Sequence, residues 1–333
     1  MKVVRLEAPG GLDRLRIVDE EEPGAPGPGE IRVRLRASSL NYHDYGVVSG
    51  RMRAADGRIP MSDGAGTVEA VGTGVTEFTA GDAVVSCFFP TWLEGPPTVP
   101  DFSTTPGDGL DGYARESVVR PATWFTPAPK GYSHCEAATL TTAGLTAWRA
   151  LVVNGGLKAG DTVLVLGTGG VSIFALQLAK AMGARVIATS SSDAKLERLR
   201  ALGADHAINY RSNPDWGAEA FRWSGGVDHV VEVGGPGTLP QSIAAVRLGG
   251  HIALIGVLTG ASGDVPTAFL MAKQARLQGL IVGSRRDQID FVRALDATGL
   301  KPVVDRSFEL GAIADAFRHQ EKGAHFGKIC LDI

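Results

Sequence analysis

Cysteine is scarce in this 333-residue sequence. Cys87, Cys135 and Cys330 are odd in number, far apart and outside any CxxC pair, which fits a reducing cytoplasm better than a disulfide framework. Long apolar runs are missing too, since none approaches the ~20 residues that cross a bilayer. The opening Met1-Lys2-Val3-Val4-Arg5 meets Glu7 without a signal-like apolar core or a small-residue cleavage site, so no membrane partner is expected. Positive charge is not in excess: 33 Lys and Arg against 36 Asp and Glu give a net charge of -3. Without a basic patch to neutralise phosphates along a polymer, nucleic acid is not an expected partner either.

What is present is an ordinary globular composition, 44% hydrophobic and 21% charged, with 44 glycines, about twice the usual share. The length exceeds what one hydrophobic core usually serves, so two domains are expected. Residues 1–125 alternate short β-branched runs with Gly/Pro turns and predict a mostly antiparallel β domain, with Asp19–Glu22 on a solvated hairpin rim. The Pro-rich stretch Pro90–Pro106 carries Trp92 and Phe102, with Phe88 and Phe89 just before it. These aromatics either line a pocket or anchor an irregular loop. From residue 126 to 286 the pattern turns to strand followed by helix. Val163–Leu166, Arg185–Thr189, His206–Asn209, Asp228–Val233, His251–Ile255 and Leu280–Val282 are apolar runs at the ~20 to 30-residue spacing of βαβ units. They predict an α/β region with a parallel, doubly wound sheet. Residues 287–333 are too few for a third domain and are expected to complete the first.

The first of these strands runs into Gly167-Thr168-Gly169-Gly170-Val171-Ser172 and then into a helix with apolar residues at Ile173, Leu176, Ala179 and Met182. Such a turn lets a pyrophosphate reach bare backbone amides and the positive end of the helix dipole. Ser172 replaces the third glycine of GxGxxG, which weakens the motif taken alone; its place at the head of six strand–helix repeats restores it. At the end of the second strand, Ser190, Ser191 and Ser192 are followed by Lys195. An acid there would accept the ribose hydroxyls of NAD; three hydroxyls and a lysine instead suit the 2'-phosphate of NADP(H), with NAD(H) left open. Asp193 would restore that acid if the strand end were shifted by one turn, and is otherwise read as capping the next helix.

Several segments together resemble the medium-chain dehydrogenase/reductase superfamily, in particular its zinc-free branch of quinone oxidoreductases and alcohol dehydrogenase-like proteins. They are Ala37-Ser38-Ser39-Leu40-Asn41-Tyr42-His43-Asp44, Gly64-Ala65-Gly66-Thr67-Val68-Glu69-Ala70-Val71-Gly72, Gly81-Asp82, Ala143-Gly144-Leu145-Thr146-Ala147-Trp148, the glycine turn, and His325-Phe326-Gly327-Lys328. The resemblance implies a GroES-like, mostly β catalytic domain plus a Rossmann domain. Where zinc-dependent members hold the catalytic metal, the matching positions look like Asn41, Ser62 beside Asp63, and Thr142, whose amide and hydroxyl groups bind zinc poorly. The four-cysteine structural lobe is absent, because residues 84–115 contain only Cys87. No metal is therefore expected.

The resemblance also distributes roles. Asn41 is expected to orient the substrate as a hydrogen-bond donor, Tyr42 or His43 to donate or relay a proton, and Asp63 to lie nearby. Cofactor contacts are expected from Thr142, Thr146, Tyr210, Val233, Gly234, Gly256, Val257, Ser284 and Arg285. Lys328 would reach the pyrophosphate, with Asp44 pairing to it. The implied activity is NADPH-dependent, zinc-free hydride transfer to a small quinone or α,β-unsaturated carbonyl, whose conjugation spreads the developing charge. The alternative is a zinc-independent alcohol dehydrogenase or aldehyde reductase. A nucleotide-binding protein without catalysis is a third reading. Family members usually pair through the last Rossmann strand, here Leu280–Val282, so a homodimer is expected.

Overall fold

The structure is a computed structural model describing residues 1–333, and the chain divides into unit 1, Met1–Leu145 with Val282–Ile333, and unit 2, Thr146–Ile281.

Unit 1 is organised around the ten-residue strand Glu30–Ser39. Ile31, Val33 and Leu35 alternate inward and are fully buried, while Arg32 and Arg34 face out and pair with Glu69 at 3.1 and 2.9 Å on the adjacent strand Ala65–Val71. In space the seven-stranded sheet runs Val304–Glu309, Lys328–Asp332, Glu30–Ser39, Ala65–Val71, Ala83–Ser86, Phe125–Pro127, with Ser117–Pro121 also pairing with Glu30–Arg34. The C-terminal strand Lys328–Asp332 lies antiparallel to Ala37–Ser39. This pairing carries the tail back to the segment that leads into Asn41.

Unit 2 is a six-stranded, fully parallel sheet. Its spatial order is His206–Asn209, Arg185–Ser190, Thr162–Leu166, Val227–Glu232, Val246–Leu254, Arg276–Gly279. The chain thus fills positions third, second, first, fourth, fifth, sixth, with the winding direction reversing between Thr162–Leu166 and Val227–Glu232. A crevice at the carboxyl ends of strands beside such a reversal is where this class of sheet binds ligands.

Two boundaries differ from the sequence pattern. The first divide falls at 145/146 and not at 125/126, because Phe125–Pro127 pairs with Ala83–Ser86 and the helix His134–Ala138, capped by Ser133, packs on the unit 1 strands. The second falls at 281/282. The sixth parallel strand is Arg276–Gly279 and not Leu280–Val282: Val282 takes a left-handed φ of 45°, which ends the extended run.

Candidate active site

The strand Glu30–Ser39 delivers Asn41 to the start of a helix, Tyr42–Val48. Asp44, in the first turn, accepts the Asn41 backbone N–H at 3.0 Å and the Asn41 Nδ2 at 3.0 Å on one oxygen. Its other oxygen accepts the Ser62 backbone N–H at 2.8 Å and the Ser62 hydroxyl at 2.9 Å. Ser62 and Asp63 follow Met61, a fully buried residue held at φ 78° because its segment is bonded along Gly112–Ala114, with Tyr113 N–H donating to the Met61 carbonyl at 2.9 Å. Backbone strain of this kind persists only where surrounding bonds over-determine it.

Asp63 is fully buried and accepts the Ser39 hydroxyl at 2.5 Å and the Thr142 hydroxyl at 2.6 Å. The ammonium of Lys328, itself buried, donates to Asn41 Oδ1 at 2.5 Å and the Leu40 carbonyl at 2.6 Å, and stands 3.5 Å from Asp63. Burial raises the Asp63 carboxyl above its ordinary pKa; the Lys328 ammonium opposes that shift and Asp44 adds to it. The result is one network, Thr142–Asp63–Lys328–Asn41–Asp44–Ser62, assembled from four separate stretches of chain.

This network revises three expectations. Lys328 pairs with Asp63, not with Asp44, since the Asp44 oxygens already hold Asn41 and Ser62. Asn41 holds its loop and has no idle donor for a substrate: its Nδ2 donates to Asp44 and, at 3.4 Å, to the Ser39 carbonyl. Lys328 is 3% exposed with its ammonium turned to Leu40 and Asn41, which is not the posture of a residue reaching for a pyrophosphate. The donor set also fits zinc poorly. An amide, two hydroxyls and one carboxylate stand at the positions in question, an ammonium is bonded among them, and nowhere in the chain do three His, Cys, Asp or Glu side chains converge.

Beside the network stand Tyr42 and His43. Tyr42 is half exposed, and its hydroxyl accepts Arg51 Nη1 at 3.1 Å, leaving its own O–H to donate. His43 packs on Phe102 (ring centroids 4.5 Å) and edge-on to Phe88 (5.4 Å), with Nε2 3.3 Å from Asp108 Oδ2. Phe88, Phe89 and Trp92 are buried, so these loop aromatics anchor the irregular stretch and present one wall to His43. Ser284 and Arg285, expected at the cofactor, serve unit 1 instead. Ser284 caps the helix Arg285–Thr298, accepting from Asp287 N–H, and Arg285 donates to the Phe125 carbonyl at 3.0 Å and Glu77 at 2.7 Å.

In unit 2 the glycine turn closes the strand Thr162–Leu166 and opens the helix Gly170–Ala181, with Gly169 as its cap. Gly167 takes φ 74°, and a Cβ added at Gly167 or Gly169 would meet nothing within 4 Å, so bare backbone faces open space. The Gly167 N–H already donates to the Thr189 carbonyl at 3.0 Å. The free amides are therefore those of the first helical turn, Gly170, Val171 and Ser172, beside the nearly buried Thr168. Ser172 is buried and donates its hydroxyl to the Leu166 carbonyl at 2.7 Å, tying helix to strand where a third glycine usually permits close packing.

The neighbouring strand ends carry the other expected cofactor residues. Ser190 is buried and accepts the Ser192 N–H at 3.2 Å, Ser191 is more open, and Ser192 caps the helix Asp193–Ala201 by accepting Lys195 N–H. Asp193 receives Asn209 Nδ2 at 2.6 Å, and the half-exposed Tyr210 donates its backbone N–H to Ser190. Gly256 is obligatory, because a Cβ there would sit 2.2 Å from the Val233 carbonyl; Val257 beside it is exposed. Thr146 lies buried in the helical turn Leu145–Trp148. Sequence reasoning missed the residue that shapes this edge. Glu232, fully buried, accepts Gly234 N–H (2.7 Å), Gly235 N–H (3.0 Å), Thr238 Oγ1 (2.6 Å) and Ser242 Oγ (2.5 Å). An acid closing an apolar strand and followed by two glycines was the available signal.

A dinucleotide-type parallel sheet and a β unit holding a buried polar network beside Tyr42 and His43 define an oxidoreductase with a nicotinamide cofactor. Residues 27–130 match the alcohol dehydrogenase GroES-like domain family, and residues 170–298 match the zinc-binding dehydrogenase family. The zinc-type alcohol dehydrogenase-like protein C1773.06c of Schizosaccharomyces pombe is 42% identical over 97% of this chain and 96% of its own. A solved NAD-dependent alcohol dehydrogenase is 36% identical with a TM-score of 0.90, covering 100% of both chains. A Pseudomonas syringae pv. Tomato DC3000 quinone oxidoreductase is 28% identical with a TM-score of 0.82, covering 100% of this chain and 99% of that one. The chain belongs to the medium-chain dehydrogenase/reductase superfamily.

Proposed function

We propose that this oxidoreductase reduces a quinone or an α,β-unsaturated carbonyl compound with NADPH and without zinc. The observation that carries the reading is the Lys328 ammonium bonded to Asn41 and facing Asp63 where zinc-dependent relatives require metal ligands. Without a Lewis acid, the substrate must itself disperse the charge that develops on its oxygen, which a conjugated carbonyl does and a simple aldehyde does not. Bound nicotinamide supplies the hydride. The chain's own part is to offer a proton or hydrogen bond to that oxygen, from the free O–H of Tyr42 or from His43, which Asp108 and Phe102 hold in place. The partly exposed ring of Phe102, packed close to His43, suits a flat, conjugated substrate. The serine-lined end of Arg185–Ser190, whose nearest acid Asp193 is already bonded to Asn209, supports NADPH over NADH.

The His43–Asp108 contact favours a second reading, an alcohol dehydrogenase in which His43 acts as base. NADPH consumption with quinones and enones is expected to exceed NADP+ reduction with primary and secondary alcohols. Turnover of alcohols alone would transfer the case to the second reading, and one tightly held zinc per purified chain would end the zinc-free mechanism.

The reading includes a homodimer. Arg276–Gly279 is an edge strand with nothing paired on its outer side, and Phe269 (69% exposed), Met271 (75%), Leu248 and Ile281 leave apolar surface in the same unit. A sedimentation mass equal to one chain would remove this part.

A further inference from the structure

The three thiols are far apart in sequence, but two of them meet in unit 1. Cys135 lies on the helix His134–Ala138, and Cys330 lies in the middle of strand Lys328–Asp332. The Cys330 thiol donates to the Cys135 carbonyl at 3.5 Å, which brings the two cysteines against each other. Cys135 Sγ is also 3.4 Å from Ser307 Oγ on the adjacent strand Val304–Glu309. Cys330 is fully buried and Cys135 only partly, so an oxidant in solution reaches Cys135 first.

The chemistry of the pair is unequal. The hydrogen bond from Cys330, helped by Ser307 and opposed by burial, lowers the Cys135 thiol below its ordinary value. The same bond and burial push Cys330 up. A partly exposed thiol held below its ordinary pKa beside a more deeply buried thiol is the arrangement of an attacking and a resolving cysteine.

We propose that Cys135 and Cys330 form a reversible redox pair that a peroxide closes to a disulfide and that slows turnover when closed. The Cys135 thiolate attacks one peroxide oxygen, the O–O bond breaks, and the departing hydroxide takes up a proton as water, leaving a sulfenic acid. The Cys330 sulfur then attacks the Cys135 sulfur. An S–S bond forms, the S–O bond breaks, and the Cys330 proton leaves with the hydroxyl as a second water. Two thiols are oxidised by two electrons in total and one peroxide is reduced by two.

The pair is wired to the polar network at both ends. Cys330 sits opposite Ser39 in the sheet, and the Ser39 hydroxyl donates to Asp63 and, at 3.3 Å, to the Ala138 carbonyl that ends the Cys135 helix. Lys328 is two residues before Cys330 on the same face of the same strand. Bonded sulfurs stand closer than two free thiols can, so closing the bond draws this helix and strand together and shifts the supports of Asp63 and Lys328.

The test treats the purified full chain with hydrogen peroxide, counts thiols and maps peptides. Two of the three thiols should be lost, a Cys135–Cys330 linked peptide should appear, and dithiothreitol should reverse both. A map without that peptide, or with Cys87 or a second chain as the partner, overturns the pairing. Cys135→Ser, the less buried of the two possible variants, should give no link. The rate measurement rests on the reductase reading above: NADPH oxidation should fall several-fold in linked protein, recover on reduction, and be insensitive to peroxide in Cys135→Ser. Linked protein at full rate overturns the coupling. Failure of every substrate would count against the functional reading, and the peptide map would still decide the pairing.

Discussion

Asp63 in unit 1 and Glu232 in unit 2 are both fully buried carboxylates at the functional end of their unit, yet their partners come from very different distances along the chain. Glu232 is satisfied within ten residues, by Gly234, Gly235, Thr238 and Ser242. Asp63 draws on Ser39, Thr142 and Lys328, with sequence separations of 24 residues to the first and 79 to the second. The Glu232 array forms as its own loop closes and needs no cation, because two amides and two hydroxyls occupy the carboxylate. The Asp63 array balances charge against charge and is complete only when the last strand has docked. Asp63 therefore keeps its place through a paired charge, whereas Glu232 is held by local hydrogen bonds.

Four measurements sharpen or break that contrast, beginning with the largest effect. Lys328→Met should cost about 3–5 kcal/mol in urea unfolding, since the buried Asp63 carboxylate loses its cation. Adding Asp63→Asn should restore part of the loss; if Lys328→Met alone unfolds no more easily than the native chain, the paired-charge account is wrong.

The second concerns a buried group that unit 2 keeps neutral. His251, buried and accepting Arg276 Nε at 3.0 Å, has its pKa lowered to about 4 by burial, with Arg276 and then His229 adding to the shift. Between pH 6.5 and 4 the unfolded chain binds this proton and the folded chain does not. The stability tied to neutral His251 is therefore present above pH 6.5 and lost as pH falls to 4, by roughly 2–4 kcal/mol. Thermal unfolding across that window should show the loss, and His251→Gln should flatten it.

Glu232→Gln ranks third, at about 1–3 kcal/mol, because an amide nitrogen cannot accept from the donors on one side of the carboxylate. Its KM for cofactor should rise more than its kcat falls, as the loop after the strand loosens. An unchanged KM would mean that Glu232 serves stability alone. Smallest is Ser190→Asp, which should move the ratio of kcat/KM for NADPH over NADH toward NADH by ~10-fold or more through like-charge repulsion. A ratio that stays put would place the 2'-position away from this strand end.

Legibility in the sequence followed the same division. The glycine turn, the serine run and six strand–helix repeats are read within a few residues, and the fold displays them in the expected order. The sixth strand lies a few positions before the more apolar Leu280–Val282, because pairing places it at Arg276–Gly279 and Val282 is left-handed. Ser284 and Arg285 follow that strand and looked like cofactor contacts. Only the packing of the helix Arg285–Thr298 against Phe125–Pro127 showed them anchoring unit 1.

The amino-acid order alone determined the two-part architecture and the parallel sheet, because periodicity and turn chemistry are properties of neighbouring residues. The tertiary structure decided that Lys328 faces Asp63 and not Asp44, that Asn41 has no donor to offer a substrate, and that Cys135 touches Cys330. Those contacts join residues tens to hundreds of positions apart, and their geometry exists only once the strands that carry them are in register.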